Sequence, residues 1–275
     1  MNHRTLFYLG LGFSIVQPAA IADTTLEYLV TEGRANPAKT QPVIIKEGKI
    51  LVKAVGGDGN LDILYSASPE IIFMVDHGKH SVMTLDEAQV NQFAKKTEVV
   101  QPLLQGLGEQ LTKLDPKQRS KWESMLGGKI PLDTIAEAAK PVQATKIVKS
   151  GQTRKVVGIV CQPMTIYQGK TKSAEVCMAE PAKLNLSDAD YATLRSLLSF
   201  LERVVGKTQF LAKQFGINLP ELNLKEVSGV PLEFNDLAGK GQNSFRFKQS
   251  VATTISADVM KIPDGYQYGP FKLWK

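Results

Sequence analysis

Apolar residues in this chain keep two different rhythms in separate blocks, and that separation is the strongest constraint on its fold. A period of two marks a strand with one buried face, and a period near 3.6 marks an amphipathic helix. The chain opens on period two. Residues 24–34 place Leu26, Tyr28 and Val30 on one face of a first strand. Residues 42–54 read as a hairpin turning at Glu47-Gly48-Lys49, with β-branched residues on both arms. The glycine cluster at 56–60 is a turn, and 61–65 and 71–75 are further strands. Asp76-His77-Gly78-Lys79 then turns the chain into 80–83.

The rhythm changes next. Thr84-Leu85-Asp86-Glu87 has the form of a capping box, and helical patterning runs to about residue 140, broken near Pro102, Asp115-Pro116 and Gly127-Gly128. Strands resume at 155–167, turn at Gln168-Gly169-Lys170 and return through 173–179. Ser187 with Asp190 starts a second helix, on which Tyr191, Leu194, Leu198, Leu201 and Val205 form one stripe, widened by Leu197, Val204 and Leu211. Strands close the chain at 229–234, 244–251 and 253–260, before Ile262-Pro263-Asp264-Gly265-Tyr266. Strand and helix blocks kept apart, with hairpins outnumbering β-α-β alternation, predict an α+β fold on a mainly antiparallel sheet. No GxGxxG follows a strand, so a dinucleotide-binding parallel sheet is not expected.

Cys161 and Cys177 are the two cysteines. They are equidistant from Gly169, so a hairpin folded there sets them side by side and predicts a disulfide. They lack CxxC spacing and nearby histidines, which argues against a redox or zinc pair. Asp76, His77 and His80 form the one cluster that invites a metal reading. Their spacing lacks the i, i+4 geometry of a zincin, and Asp-His-Gly-Lys between two strands is turn chemistry. No metal and no cofactor are expected. There is no GxSxG elbow, and acidic pairs such as Asp86-Glu87 and Asp188/Asp190 sit at helix starts, where the helix dipole favours them. The apolar helix stripe has two readings: ordinary core, or a helix closing over a lipid-sized cavity. On the second reading Leu194, Leu198, Leu201 and Val205 are the candidate ligand-binding residues.

The first 22 residues have the order of a secretory signal peptide: His3 and Arg4, an uncharged run over 6–16, Pro18, then Ala20 and Ala22 at the two positions a signal peptidase reads. The run is shorter than the ~20 residues a membrane-spanning helix needs. No later apolar stretch reaches that length, so the mature chain is expected to be soluble and not membrane-spanning. The formal charge of +6 over 275 residues is mild, and no basic block is interleaved with aromatics, so nucleic acid is not an expected partner. Residues 23–275 are read as a single domain with a helical insertion at about 84–140. Its compartment is the periplasm, with secretion as the alternative.

The order of these motifs carries a resemblance. The hairpin PVIIKEGKILVKA, the hairpin IIFMVDHGKHSVMTL running into a helix, the strand bearing Gly158 and Cys161, the Ala179-Glu180-Pro181 exit and the Pro263-x-Gly265-Tyr266 end follow one another over most of residues 24–268. Together they resemble a bacterial envelope family of unknown function, related in shape to LolA-like periplasmic lipoprotein carriers and LppX-like lipid-binding lipoproteins. That resemblance implies a curved, mainly antiparallel half-barrel sheet with helices across its concave face, and no catalytic residues. The long insertion is where this chain departs from a simple carrier. The expected function is a non-enzymatic periplasmic protein that binds a lipid, an acyl chain or a lipidated partner in a concave apolar cavity. An envelope interaction protein with a self-filled core is the second reading, and a hydrolase the third. The export reading predicts a mature N-terminus at Asp23. N-terminal sequencing of the exported protein checks it, and a product still beginning at Met1 refutes it.

Overall fold

The computed structural model describes residues 23–33, 36–55, 59–95, 144–214, 227–238 and 243–270, with isolated positions between 102 and 121. The signal segment 1–22 and most of the span 96–143 lie outside the described residues. Thirteen strands form one open sheet. The first six, β1 (Asp23–Thr31), β2 (Lys39–Lys46), β3 (Lys49–Val55), β4 (Leu61–Ala67), β5 (Glu70–Asp76) and β6 (Ser81–Asp86), run as an antiparallel meander. The second set, β7 (Thr145–Lys149), β8 (Arg154–Val156), β9 (Ile159–Gln168), β10 (Thr171–Ala179), β11 (Val230–Asp236) and β12 (Ser244–Thr253), is a second meander. Nine residue pairs between β1 and β12 join the two. β13 (Gln267–Pro270) adds to the far edge, parallel to β6.

The alternation read in the sequence is what buries each strand. In β1, Thr24, Leu26 and Tyr28 are buried and their neighbours are not. Leu26 and Tyr28 join Ile45, Ile50, Tyr65, Phe200, Leu232 and Phe247 in the main core, on the face that carries the one long helix of the described residues, Asp188–Gln214. The opposite face has its own smaller cluster. Leu51, Leu64 and Phe73 are covered there by Val259, Met260 and Ile262, from the segment that crosses from β12 to β13. Asp23 fastens the start of that crossing. Its carboxylate accepts from the Ile255 amide at 2.8 Å and pairs with Lys46 at 2.9 Å. Partial burial alone would raise this carboxyl, but the Ile255 amide and the Lys46 ammonium outweigh it and hold it below its ordinary value.

This architecture corrects the expected one. Over the described residues the chain is not an α+β half-barrel with helices across its concave face. It is a strand-dominated, mixed, open sheet whose free edges are β13 and β7–β8. Two causes account for the difference. Short strands with little apolar content, β7 and β13, carry no legible period. The β1–β12 ladder, whose partners lie more than 210 residues apart in sequence, merges two meanders that local patterning leaves separate. The predicted strand at 253–260 is a further correction: β12 ends at Thr253, and Ala257–Met260 is a 3-10 turn capped by Ser256.

Helix starts follow their caps, with one displacement. Thr84 belongs to β6, and the capping box lies two residues later: the Gln89 amide donates to Asp86 Oδ1 at 2.8 Å and the Asp86 amide to Gln89 Oε1 at 3.3 Å. Asp115 and Gln118 repeat the same reciprocal pair. Ser187 caps the long helix, its Oγ accepting from the Asp190 amide at 3.1 Å.

Cys161 and Cys177 are joined, with Cα atoms 5.5 Å apart, but not as direct cross-strand partners. Gln168 faces Thr171 across a two-residue turn, and a bulge between Lys172 and Ala174 adds a second one-residue shift, so Cys177 faces Pro163. A single shift would have placed the sulfurs on opposite faces of the sheet. Two shifts restore the parity and leave the cysteines on a same-face diagonal. Ser173, the extra residue of the bulge, is bonded at its hydroxyl and carbonyl: the hydroxyl donates to the Ile166 carbonyl, and its own carbonyl accepts from the Leu237 and Ala238 amides. The bridge closes a loop of 16 residues, for which chain entropy predicts about 3 kcal/mol. The Cys161→Ser/Cys177→Ser variant should lose roughly that much in urea unfolding, and native protein should show no alkylatable thiol by mass spectrometry.

Candidate functional site

The long helix does not press on the sheet along its whole length. Between its underside and the centre of the sheet lies a cleft of about 280 Å³. Its floor is built by the period-two faces of neighbouring strands: Leu26, Tyr28 and Val30 from β1, Val43 from β2, Ile50 and Val52 from β3, and Phe245 from β12. Gly229, Val230 and Pro231 at the start of β11 form one wall, and Leu194, Leu197 and Leu198 the roof. Gln41 and the Tyr28 hydroxyl are the polar groups on this lining, and they belong to directly opposed residues of β1 and β2. Gln41 donates its side-chain amide to the Lys53 carbonyl. The Tyr28 ring is held edge-on against Phe245 and Phe247, and its hydroxyl takes no hydrogen-bond partner among the described residues. Burial pushes that phenol well above its ordinary pKa, so it stays a neutral donor.

Polar bonds at both ends of the helix hold the roof at this height. At the N-terminal end the buried Asp190 carboxylate accepts from Thr24 Oγ1 at 2.9 Å, and the Tyr191 hydroxyl accepts from the Gly229 amide at 2.9 Å. Arg195 donates to the Val227 carbonyl at 2.6 Å. Further along, Ser196 Oγ lies 2.7 Å from the Tyr65 hydroxyl and donates to Glu70 at 3.0 Å. Arg203 pairs with Glu70 and Glu87 while its guanidinium lies over the Phe200 ring, and Lys207 pairs with Glu87 and Asn91. The Lys207 ammonium is the main cause that holds the Glu87 carboxyl below its ordinary value, against partial burial and with help from Arg203. The helix is therefore bonded to β1, β4 and β5 and to the helical segment that starts at residue 87, and Leu194, Leu197 and Leu198 span the cleft between these anchors.

The four residues singled out from the helix stripe separate in space. Leu194 and Leu198 line the cleft. Leu201 is 38% exposed, and Val205 is half-buried outside the lining. Leu211 lies among residues whose side chains are not described. Stripe counting added Leu201 and Val205 because a helix face is wider than the cleft it covers. It also assigned no binding role to the floor, whose signal was present in the alternation of β1 and of the 42–54 hairpin. What was not legible is which strands become neighbours of β1.

The histidine cluster is structural. Asp76 accepts from the Lys79 amide at 2.9 Å and pairs with its ammonium, which closes the turn. His77 lies between Asp62 at 3.1 Å and the Tyr266 hydroxyl at 2.9 Å, and His80 packs edge-on against the same tyrosine. These contacts tie the crossing segment to the sheet beside a smaller pocket of mixed lining, about 210 Å³. Among the described residues, no group of three or more His, Cys, Asp or Glu is placed to hold a metal ion, and no helix is long and apolar enough to cross a membrane.

Gly229 is the tightest point of the cleft wall. Its φ is +106°, and a Cβ there would sit 2.4 Å from the Ala179 carbonyl oxygen. Gly229→Ala should destabilise the fold by roughly 2 kcal/mol or more, because strain and a backbone clash coincide. Urea unfolding measures it, and an unchanged midpoint would refute the close approach.

No protein-family model matches the chain, and neither does any curated protein. Solved structures similar to it at low identity include the following two. An uncharacterized conserved protein from Thermus thermophilus is 7% identical, with 92% of each chain covered and a TM-score of 0.40. PNGF-II, crystallised in space group C2, is 8% identical, with a TM-score of 0.39; the match takes in 92% of this chain and 31% of that one.

Proposed function

We propose that this protein is a non-catalytic binding protein of the bacterial envelope that holds a single acyl chain in the cleft between the long helix and β1–β3. The observation that carries the reading is a roomy cleft whose lining is apolar except for one opposed pair, Tyr28 and Gln41. Pockets for small molecules combine such walls with a few placed polar groups that fix orientation. The size narrows the occupant. An apolar cavity of about 150 Å³ stays dry and takes benzene, and this cleft is 280 Å³. One chain of modest length fits that space, and a whole two-chain lipid does not. The Tyr28 hydroxyl is a neutral donor suited to the carboxyl or ester oxygen at the end of such a chain. The Cys161–Cys177 bridge supports an oxidising compartment, and with the N-terminal export pattern it favours the periplasm.

Binding of a fatty acid or an apolar fluorescent probe tests the proposal through three substitutions. Leu198→Asp places a charge in the roof and should abolish binding. Leu201→Asp, on the exposed flank of the same helix, should leave affinity within about twofold, since surface changes away from packed features are mild. Val43→Phe fills the floor and should displace the ligand while the protein stays folded, as judged by its unfolding midpoint. Equal effects of Leu198→Asp and Leu201→Asp, or wild-type protein that binds neither ligand, would reject the acyl-chain reading in favour of an interaction protein.

A further inference from the structure

We propose that the β7–β8–β9 corner of the sheet docks on an anionic lipid surface. Two of the seven large apolar side chains exposed among the described residues stand together at this corner, Val157 at 56% and Val160 at 45% exposure, while Val148 at 40% faces Thr165 further along β9 on the other side of the sheet. Scattered exposed valines need no explanation, but a local group does. The charge here is one-sided as well. Between Glu137 and Glu175 the chain carries seven Lys or Arg and no Asp or Glu, so the mild net charge of +6 conceals a strongly basic segment. Four of those cations, Lys146, Lys149, Arg154 and Lys155, stand exposed on β7 and β8. Arg154 is paired with Glu233. No ion pair engages Lys146, Lys149 or Lys155 among the described residues. Lys155 faces Val160 directly across the β8–β9 ladder, so a cation stands at the base of the apolar tip.

The tip itself breaks a local rule. Val157 and Gly158 form the two-residue turn between β8 and β9, with φ values of +49° and +81°. Such a turn favours Asn-Gly, and a β-branched residue at positive φ is strained. Here the strained position holds a valine that is more exposed than buried, so packing within the fold does not explain it. An apolar tip with Lys155 at its base, and Lys149 further along β7, matches the interface of an anionic bilayer, where the tip enters the acyl boundary and each nearby cation adds attraction. Two other occupants fit less well. A second copy of the chain would set like charges against each other along the edge. An acidic strand added to the edge would be interrupted at Ser150–Thr153, where the ladder breaks between β7 and β8, and it would not reach the tip.

The experiment is co-sedimentation of the exported, processed protein with vesicles of phosphatidylglycerol and phosphatidylcholine, compared with pure phosphatidylcholine. Binding should require the anionic lipid and fall as salt rises. Lys155→Glu should weaken binding roughly tenfold or more, since it removes one attraction and adds a repulsion, each worth about fivefold. Val157→Asn is the decisive variant. Asparagine suits the turn, so the unfolding midpoint should hold or rise, while vesicle binding should drop at least about fivefold through loss of the buried methyl groups. Leu198→Asp should bind vesicles as wild type does, which keeps this test separate from that of the cleft. Absence of binding to anionic vesicles by the wild type overturns the proposal. So does a Val157→Asn variant that binds as tightly as wild type while Lys155→Glu does not, since that pattern belongs to an acidic partner and not to a bilayer.

Discussion

The pairing of β1 with β12 is the interaction on which the rest of the molecule depends. Each meander alone is a six-strand sheet with two free edges, and the nine pairs between β1 and β12 turn those inner edges into the middle of one sheet. The ladder is not regular. Glu27 faces Gln249 and Tyr28 faces Phe247, so Lys248 is the extra residue of a bulge, and it uses its freedom to pair with Glu27 at 3.1 Å. The shift brings Tyr28 against both Phe245 and Phe247, with Phe245 stacked in turn on Phe234 of β11. These rings and Leu26 are the ground beneath the helix, and the cleft opens directly above the seam. The cleft is thus made at the junction of two halves and belongs to neither.

The roof over that seam is held by a division of labour along the helix. Polar groups that reach distant elements flank and alternate with the roof leucines, which reach less far. A buried carboxylate such as Asp190 is costly to desolvate and is offset only by bonds made to it, here the Thr24 hydroxyl. Tyr191 and Arg195 spend their polar groups on the backbone of Gly229 and Val227, which fixes the wall of the cleft to the roof. Such bonds are directional and set a height, whereas apolar contact alone would draw the helix down until the space closed. An open cleft beneath an apolar helix therefore follows from where the polar anchors lie.

Much of the local structure was legible because it rests on near neighbours. The hairpin turning at Glu47-Gly48 forms with both residues at positive φ, and Ser187 caps its helix. The Cys161–Cys177 pair was legible for a weaker reason. Symmetry about Gly169 named the right partners, but a turn one residue shorter and a one-residue bulge add to a two-residue shift, which keeps the cysteines on one face only because its parity is even. The Thr84 cap was misplaced because Asp86 offers the same chemistry two residues on, and the strand pairing of β6 with β5 extends through Asp86 to decide between them. Of the site, Leu194 and Leu198 were named from the stripe. Leu201 and Val205 could not be told from them, since periodicity reports a face and not what lies opposite it.

The amino-acid sequence by itself determined which segments are strands with one apolar face, where the tight turns and caps fall, which helix is too apolar to stand free, and which residues can form a disulfide. Each of these is decided by residues a few positions apart, within the reach of dihedral preference and side-chain spacing. The tertiary structure alone decided that the two meanders form one sheet, that the crossing segment returns to pair β13 with β6, and that Leu194 and Leu198 face a cleft while Leu201 does not. Those outcomes depend on contacts between residues more than a hundred positions apart. Their free energy comes from burying faces against one another, and a face carries no mark of its partner until the whole chain has packed.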